Sequence, residues 1–324
     1  MKDFSGKLAV VTGGGTGMGR ELVRQLVASG CNVAFCDVLE NNMAETKAIC
    51  DSEAPPGVTV TTHVCDVSDE AAVNAFRDSV VAEHATDHVN LLFNNAGVGG
   101  GGSFINDPRE QWERTFNICW GGVYLCSRAF VPLLINASEA HLINTSSVNG
   151  FWASIGPQAP HTAYSSAKFA VKGFSEALLN DFRNHAPHVK VSVVMPGHIG
   201  TPLLANSGKI VSGFDPENLT DEDLQLFSVL LGKEDQGKEM GVDEIKAMLE
   251  NMMSAFAEGA PTSASEAVAI ILDGVREERW RILVGDDAKI IDQSVRSDPE
   301  QAYEQSFMDT LRAATDWKID KVMQ

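Results

Sequence analysis

Short apolar runs rich in β-branched residues alternate along this chain with longer amphipathic stretches. The runs predict strands at residues 8–12, 32–36, 59–64, 91–93, 141–145, 189–194 and 281–284. The amphipathic stretches predict helices, for example at 20–29, which Gly30 ends, and at 69–83, where Ser68 is placed to cap the first turn. This alternation predicts an α/β fold with a doubly wound parallel sheet of about seven strands and helices on both faces.

The alternation is interrupted once, by a polar stretch rich in Gly, Asp, Glu and Met at 201–261. It resumes at a helix start where Ser263 and Glu266 have the spacing of a capping box. The last segment, 286–324, predicts one or two acidic amphipathic helices. We therefore expect a single domain over 1–324, with an insertion at 201–261 that forms a lid and a helical extension at 286–324.

Composition narrows the classes of partner. The chain has 324 residues, 44% of them hydrophobic, and its formal net charge of −19 disfavours binding to nucleic acid or anionic lipid. Its six cysteines form no CxxC pair, which favours reduced thiols and disfavours a metal site. No apolar signal region or membrane-spanning segment is recognisable. We expect a cytoplasmic protein that acts on a small molecule.

A hydroxyl, a phenol and an ammonium group occur close together at Ser147, Tyr164 and Lys168. Tyr164 and Lys168 are 168 − 164 = 4 positions apart, so on a helix they share one face. A phenol with an ordinary pKa of about 10 is a poor base at neutral pH, and a neighbouring ammonium group favours the phenolate. The three groups suit proton exchange with an alcohol or ketone, although a core tyrosine beside a solvated lysine has the same spacing.

A glycine-rich segment lies directly between the first predicted strand and the first predicted helix. It contains Gly13, Gly17, Met18 and Gly19. Glycine lets the backbone approach a pyrophosphate closely, and a helix start offers free N–H groups. The placement between strand and helix therefore predicts dinucleotide binding on a Rossmann-like sheet rather than an ordinary turn.

Polar residues also follow the second, third and fourth strands. Asp37 lies where a carboxylate holds the hydroxyls of adenosine ribose, and a 2′-phosphate would meet this carboxylate and no obvious arginine. The sequence thus favours NAD over NADP, unless Asp37 is a solvated turn residue. Asp66 and Val67 follow the third strand and 94–97 the fourth, at the edge where open α/β sheets bind ligands. Each segment taken alone could be a simple turn.

Together these segments resemble the short-chain dehydrogenase/reductase family, over about residues 5–204 and the final strand. The resemblance implies that Ser147 is the catalytic serine and Tyr164 the catalytic base. It implies that Lys168 binds the nicotinamide ribose and lowers the pKa of the tyrosine. The implied cofactor contacts are Thr12, Gly13, Gly17, Met18, Gly19, Asp37, Asp66, Val67, Asn94, Ala96, Gly97, Tyr164, Lys168, Pro196, Gly197, Ile199 and Thr201.

One residue that the family uses is missing. The family places a catalytic Asn in a helix before a Gly-Val-aromatic segment, and alignment on 122–124 puts Cys119 at that position. Asn117 lies two positions earlier, about 200° away around a helix, and could serve only where the helix is distorted. We expect Cys119 to be a small buried side chain, so the water-linked proton relay that the Asn supports must be weaker or rebuilt.

A longer loop separates the serine from the tyrosine. Their separation of 164 − 147 = 17 positions is a few more than the family usually shows, and the excess lies in an apolar loop with Gly and Pro at 151–161. We expect Phe151, Trp152 and Leu203 to contact the substrate, although a surface loop without such contacts is the alternative. His161 is expected to be a solvated loop residue.

These features predict an NAD-dependent short-chain alcohol dehydrogenase or ketoreductase with Tyr164 as general base or acid. Apolar residues at the predicted pocket and the Met-rich stretch 240–253 favour a hydrophobic secondary alcohol and its ketone over a sugar or hydroxy acid. The alternatives are a noncatalytic NAD sensor or scaffold and a cofactor-dependent epimerase. The resemblance also implies a homodimer or homotetramer.

Overall fold

A seven-stranded sheet lies at the centre of the fold. The structure is a computed structural model that describes residues 1–156, 159–213 and 242–315, with only the backbone described at 242, 243 and 245. The strands of the sheet are β1 (Leu8–Thr12), β2 (Asn32–Asp37), β3 (Val60–Val64), β4 (Leu91–Asn94), β5 (Ala140–Thr145), β6 (Val189–Pro196) and β9 (Arg281–Val284). Two short strands, β7 (Ile199–Gly200) and β8 (Thr262–Ser263), pair with each other outside this sheet. The order is β3-β2-β1-β4-β5-β6-β9, and every pairing is parallel. This confirms the predicted Rossmann-like α/β sheet.

Helices connect the strands and cover both faces of the sheet. They are α1 (Gly17–Ala28), α2 (Glu40–Glu53), α3 (Glu70–Glu83), α4 (Arg109–Phe116), α5 (Gly122–Asn136), α6 (Thr162–His185), α7 (Leu203–Ser207), α8 (Val242–Glu258), α9 (Ala264–Arg276), α10 (Asp286–Ser297) and α11 (Gln305–Ala314). A π-helical turn at Asn117–Gly121 joins α4 to α5, and another, Gly208–Ser212, follows α7.

Alternate side chains of each strand enter two separate cores. Ala9 and Val11 of β1 pack with the apolar faces of α1, α2 and α9, whereas Leu8 and Val10 pack with those of α3, α5 and α6. This is the consequence of the two-residue side-chain period of a strand whose two faces are both covered. The short apolar runs of the sequence therefore correspond to strands buried on both sides.

Two predicted helix starts have different outcomes. Ser263 caps α9 as expected, because its hydroxyl accepts from the Glu266 N–H while the Glu266 carboxylate accepts from the Ser263 N–H. The prediction that Ser68 caps α3 is wrong, since the Asp69 side chain accepts from the backbone of Ala71 and Ala72. The Ser68 hydroxyl instead donates to Asp66 and accepts from the Arg114 guanidinium, so its oxygen is already used as an acceptor.

The helical run Arg109–Asn136, which includes α4 and α5, has 28 residues and a mean hydropathy of 1.6 in its most apolar window. Among the described residues it is the one run that meets the length and composition of a membrane span. Half of that window, 50%, is buried in the protein, where Cys126, Ala129 and Phe130 pack beneath the sheet. Its apolar character thus matches that of a core helix in a doubly wound fold.

The C-terminal extension forms two helices, α10 and α11, in the described part of 286–324. Ala288, Ile291, Met308 and Leu311 of these helices share a third apolar core with the loop after β5. The insertion at 201–261 contributes α7 and α8 in its described part, whereas 214–241 lie outside the described residues. The extension is therefore packed against the loop that leads into α6.

Candidate active site

A cleft lies at the carboxyl ends of the strands, where the sheet order reverses between β1 and β4. It is lined by the glycine-rich loop, the ends of β2 to β6, the start of α6 and the turn after β6. Open α/β sheets bind ligands at such a switch point. Of the predicted residues, the lining includes Gly13, Gly17, Met18, Gly19, Asp37, Asp66, Val67, Ala96, Gly97, Ser147, Tyr164, Lys168, Pro196, Gly197, Ile199, Thr201 and Leu203.

The glycine-rich loop is held so tightly that side chains are excluded at two positions. Gly13 has φ +68°, and a Cβ there would lie 2.8 Å from Cα of Ala96. A Cβ on Gly19 would lie 1.8 Å from the carbonyl oxygen of Gly13. The first turn of α1 therefore sits directly against the loop, at the end of the helix where N–H groups suit a phosphate.

Thr12 and Asn94 do not line the cleft, and the contact with the cofactor that the sequence implies for them stays a prediction. The Thr12 hydroxyl accepts from the N–H groups of Asn95 and Ala96, at 3.0 Å each, and so fixes the turn after β4. Asn94 is buried and donates to Ser127 of α5 and Asn144 of β5. Both residues support the turn that borders the cleft, while Asn95, within the predicted segment 94–97, lines the cleft.

Asp37 closes the adenosine end of the cleft. Its Oδ2 accepts from the Gly15 N–H at 3.0 Å, and its Oδ1 accepts from the N–H groups of Val38 and Leu39. The arginine nearest in sequence to the loop, Arg20, donates to the Gly15 carbonyl oxygen and forms a bidentate ion pair with Glu45. This end of the cleft thus has a carboxylate fixed in its lining, and the arginine nearest to it in sequence is already paired with a carboxylate.

A second carboxylate lies at the end of β3. Asp66 pairs with Arg114 of α4 at 2.8 Å and accepts from the backbone and hydroxyl of Ser68. Burial raises the pKa of this carboxyl, but the hydrogen bonds from Ser68 and Arg114 outweigh burial and leave the pKa below its ordinary value. Arg114 lines the cleft too, and its contribution could not be read from the sequence because α4 is distant from β3 along the chain.

Ser147, Tyr164 and Lys168 meet at the other end of the cleft. Two adjacent serines hold this geometry: Ser146 donates to the Lys168 carbonyl oxygen at 2.7 Å and ties α6 to the end of β5. Ser147 faces the cleft, and its hydroxyl accepts from the Asn149 N–H at 3.1 Å. The Lys168 ammonium is buried, donates to the Thr145 carbonyl oxygen at 3.0 Å and lies 5.3 Å from the centre of the Tyr164 ring.

The Tyr164 phenol is under opposing influences. Burial raises its pKa above the ordinary value, and this effect prevails over the Lys168 ammonium and the Ser147 hydrogen bond, which both lower the pKa. Lys168 thus acts in the expected direction, but in the protein alone the net shift is upward. The site stabilises the phenolate less than the sequence suggested because the ring is withdrawn from water.

The structure places Cys119, not Asn117, at the site. Cys119 is fully buried, and its thiol donates to the Val98 carbonyl oxygen at 3.2 Å beside the catalytic end of the cleft. It also adds to the rise in the pKa of Tyr164. The helix is indeed distorted here, by the π-helical turn Asn117–Gly121, but Asn117 remains exposed. The distortion therefore does not bring the Asn into the site.

The loop at 151–161 differs from expectation at three residues. Trp152 does not contact the cleft: it is fully buried and its indole N–H donates to the Ala302 carbonyl oxygen at 2.7 Å. Phe151 packs against the same C-terminal core and under the guanidinium of Arg281. Neither side chain lines the cleft, because the extension offers both an apolar partner that the sequence could not show, and their contact with the substrate stays a prediction.

His161 is not a solvated loop residue. Its ring packs on that of Tyr164, with centroids 4.6 Å apart and planes tilted by 33°. Burial lowers the pKa of His161 to about 4, so the imidazole is neutral at physiological pH. It therefore supports the tyrosine ring without adding a charge to it.

Apolar side chains surround the catalytic end of the cleft. They include Leu203 as predicted, and also Val98, Ile118, Ile210 and Phe256. Within the described part of 242–258, Phe256 is the residue that lines the cleft, whereas Met248 is exposed. In this stretch the apolar contribution to the cleft thus comes from an aromatic residue at the end of α8 rather than from a methionine. Met240 lies outside the described residues.

The residues present fit a dinucleotide. The glycine cradle and the start of α1 suit a pyrophosphate, Asp37 suits a ribose diol, and Lys168 lies where a second ribose could be held beside Tyr164. Among the described residues there is no group of three or more His, Cys, Asp or Glu side chains that could hold a metal ion.

Comparison with known proteins gives the same assignment. A family model described as short chain dehydrogenase matches residues 7–210. SadH of Mycobacterium tuberculosis (strain ATCC 25618 / H37Rv), an inferred oxidoreductase, is 31% identical over 296 residues, 91% of this chain and 92% of SadH. The family model covers the glycine-rich loop and the segment that contains Ser147, Tyr164 and Lys168.

Two solved structures with bound cofactor are similar. A short-chain dehydrogenase/reductase from Burkholderia phymatum in complex with NAD is 26% identical with a TM-score of 0.73, covering 93% of this chain and 96% of that one. A metagenomic short-chain oxidoreductase in complex with NADP is 32% identical with a TM-score of 0.53, covering 60% and 83%. Because one relative holds NAD and the other NADP, the preference of this chain must be argued from its own residues.

Proposed function

Because this chain belongs to the short-chain dehydrogenase/reductase family and is therefore an oxidoreductase that uses a nicotinamide cofactor, we propose that it interconverts a hydrophobic secondary alcohol and its ketone with NAD(H). The observation that carries the proposal is the convergence of Ser147, Tyr164 and Lys168 on one cleft with the glycine-rich loop. A binding protein needs the loop but has no use for the other three groups.

The shape of the catalytic end supports a hydrophobic substrate. Side chains within the wall, among them Leu203, Ile210 and Phe256, are apolar, and the polar groups that converge on the same place are the Ser147 hydroxyl and the Tyr164 phenol. Apolar walls with few polar groups bind an alicyclic or aromatic skeleton and orient its one oxygen. A sugar or a hydroxy acid would leave several polar groups without partners.

The proposed preference for NAD rests on Asp37 and Glu45. Asp37 would repel a 2′-phosphate, and Glu45 neutralises Arg20, the cation nearest the loop in sequence. We expect kcat/KM with NAD⁺ to exceed that with NADP⁺ by at least about tenfold, the factor that corresponds to roughly 1.4 kcal/mol. Equal values with the two cofactors would contradict this assignment.

The protein groups divide the chemistry among them. When bound, the nicotinamide accepts hydride from the alcohol carbon or returns it to the ketone. The Ser147 hydroxyl accepts from the Asn149 N–H and keeps its own proton for donation to the substrate oxygen. Tyr164 removes the hydroxyl proton during oxidation and supplies it during reduction. Lys168, fixed on the Thr145 carbonyl oxygen, places a positive charge near the phenolate.

Replacing Tyr164 by Phe tests the assignment most directly. Tyr164→Phe removes the phenolic proton carrier while keeping the ring, so we expect alcohol oxidation to fall by at least about 10²-fold. Binding of NADH, followed by its fluorescence, should remain. Tyr124→Phe is the matched control, because Tyr124 is exposed on α5 and its loss should leave the rate unchanged. Retained turnover by Tyr164→Phe would refute the proposed role.

An absorbance screen at the NADH band identifies the substrate class. Alicyclic, aromatic and sugar-type secondary alcohols are each offered with NAD⁺ and with NADP⁺. We expect the alicyclic and aromatic alcohols to be oxidised with formation of NADH, and the sugars to remain unreacted. Tight NADH binding without turnover of any member would favour the sensor or scaffold. Conversion of a substrate without net NADH would favour the epimerase.

We further propose a cytoplasmic protein that forms a dimer or tetramer. The resemblance to the family supports the assembly, and Tyr124 of α5 and Phe169 of α6 are exposed by 43% and 42%. Light scattering should report a mass of two or four chains of 34.8 kDa. A monomer at micromolar concentration would contradict the assembly.

A further inference from the structure

The turn after β6 donates a hydrogen bond to a carboxylate of the C-terminal extension. Oδ2 of Asp287, in the first turn of α10, accepts from the His198 N–H at 2.7 Å. His198 lies between Gly197 and Ile199, and both of these residues line the cleft at its catalytic end. Asp287 thus contacts the turn on the side opposite the cleft.

The contact is closely built. Asp287 is 4% exposed, and a Cβ on Gly197 would lie 2.2 Å from its Oδ2. A Cβ on Gly285, whose φ is +95°, would lie 2.4 Å from its Oδ1. Glycine is therefore required on both sides of the carboxylate, and at Gly197 the requirement comes from Asp287 as well as from the cleft.

His198 connects the turn to the end of α8. Its Nε2 donates to the Phe256 carbonyl oxygen at 2.8 Å, and the two rings pack with centroids 4.7 Å apart. Gly200 is also closed by this helix end, since a Cβ there would lie 2.6 Å from the Ala257 carbonyl oxygen. Asp287, the turn and the end of α8 therefore form one packed unit.

A buried carboxylate has to be compensated by its partners. Burial raises the pKa of Asp287, while the N–H groups of His198, Ala288 and Asp287 itself lower it. Removal of the carboxylate would leave the His198 N–H buried without an acceptor and would free the turn to move. The affected backbone is the part of the cleft that faces Tyr164 and Lys168, not the part beside Asp37.

We propose that Asp287 is a positioning residue that fixes the Pro196–Gly200 turn, so that the C-terminal extension sets the affinity of the cleft for the nicotinamide half of the cofactor. Asp287 lies outside the segment 7–210 that the family model matches, so this role belongs to the extension of this chain. The inference rests on the dinucleotide binding included in the proposed function, but it is independent of the substrate.

The test compares two ligands that differ in the nicotinamide. NADH and ADP-ribose share the adenosine and pyrophosphate, so a loosened turn should weaken NADH and spare ADP-ribose. For Asp287→Ala we expect the Kd of NADH to rise about tenfold, the effect of losing one hydrogen bond to a charged group, with the Kd of ADP-ribose unchanged. Both constants are measured by titration calorimetry on the full chain.

Two further variants separate positioning from general stability. Asp287→Asn keeps an oxygen acceptor and should restore NADH affinity to within about threefold of the wild type. Asp287→Glu keeps the charge but displaces the turn, because Gly197 and Gly285 leave no room, and should weaken NADH selectively even if the alanine variant does not fold. Asp286→Ala is the matched control, since Asp286 is exposed on the same helix turn and should change neither Kd.

Each outcome decides the question. Equal weakening of NADH and ADP-ribose, or unchanged NADH affinity in both the alanine and glutamate variants, would overturn the positioning role. Failure of the wild-type protein to bind either ligand would instead overturn the proposed dinucleotide binding. Selective loss of NADH affinity with rescue by asparagine would support Asp287 as the determinant.

Discussion

At the scale of single residues, the behaviour of Tyr164 is set by neighbours of three kinds. Lys168 places a buried ammonium 5.3 Å from the ring centre and lowers the phenol pKa, while burial raises it. His161 packs on the ring as a neutral imidazole. Cys119 occupies the position at which the family has Asn. The surroundings of Tyr164 therefore lack the amide side chain that the family pattern has beside it.

Lys168→Met should move the pH profile of alcohol oxidation to higher pH. The base form is the phenolate, and the ammonium lowers the phenol pKa, so its removal raises the pKa and requires more alkaline solution for the same rate. The measurement is kcat/KM from pH 7 to 11. Lys172→Met is the control, because Lys172 is one turn further along α6 and pairs with Glu176. An unchanged profile for Lys168→Met would contradict the electrostatic role.

Cys119→Asn should restore an amide where the proton relay is weakest. If proton transfer limits turnover, kcat rises severalfold and the solvent deuterium isotope effect on kcat falls. Cys119→Ala, which removes the polar atom without adding an amide, should do neither. Equal kinetics for the asparagine and alanine variants would show that the relay runs elsewhere.

At the scale of elements, the start of a helix is capped by the nearby side chain whose oxygen is available to accept from the free N–H groups. Ser68 and Asp69 both precede α3, and residue type alone permits either as cap. The serine hydroxyl donates to Asp66 and its oxygen accepts from Arg114, so Asp69 becomes the cap. The choice depends on a contact between β3 and α4 that local sequence does not contain.

Asp69→Ala should lower the free energy of unfolding by about 1 kcal/mol, because two N–H groups of α3 lose their acceptor. Asp78→Ala removes the same charge from the exposed middle of α3, where Asp78 pairs only with its neighbour Arg77, and should change the free energy by less than about 0.5 kcal/mol. Denaturant unfolding of the two variants gives the comparison. Similar losses would show that charge rather than capping is responsible.

At the scale of the whole molecule, the C-terminal extension is part of the core. Trp152, in the loop after β5, is anchored to the Ala302 carbonyl oxygen and packs with Phe307 of α11. Asp287 of α10 holds the turn after β6. The extension thus packs against both segments that border the catalytic end of the cleft.

Trp152→Ala should therefore lower the free energy of unfolding. Loss of a fully buried indole leaves a cavity and an unpaired carbonyl, which costs about 3–5 kcal/mol. Trp280→Ala is the control, since Trp280 is 41% exposed, and should cost less than about 1 kcal/mol. Thermal unfolding in the presence of NADH checks both. Little change in stability for Trp152→Ala, with a changed substrate preference, would restore the role expected from the sequence.

The sequence by itself determined the order of strands and helices, because burial on both faces of a strand leaves a continuous apolar run that is visible locally. It also determined the glycine-rich loop, Asp37, and the group of Ser147, Tyr164 and Lys168, since each depends on a short spacing within one segment. Only the tertiary structure decided what those segments meet across long separations: that Trp152 and Phe151 face the extension, that Asn94 turns inward, that Cys119 rather than Asn117 reaches the site, and that burial outweighs Lys168 in the pKa of Tyr164. These outcomes depend on contacts between residues distant in sequence, and a local pattern carries no information about which of several apolar partners a side chain will find.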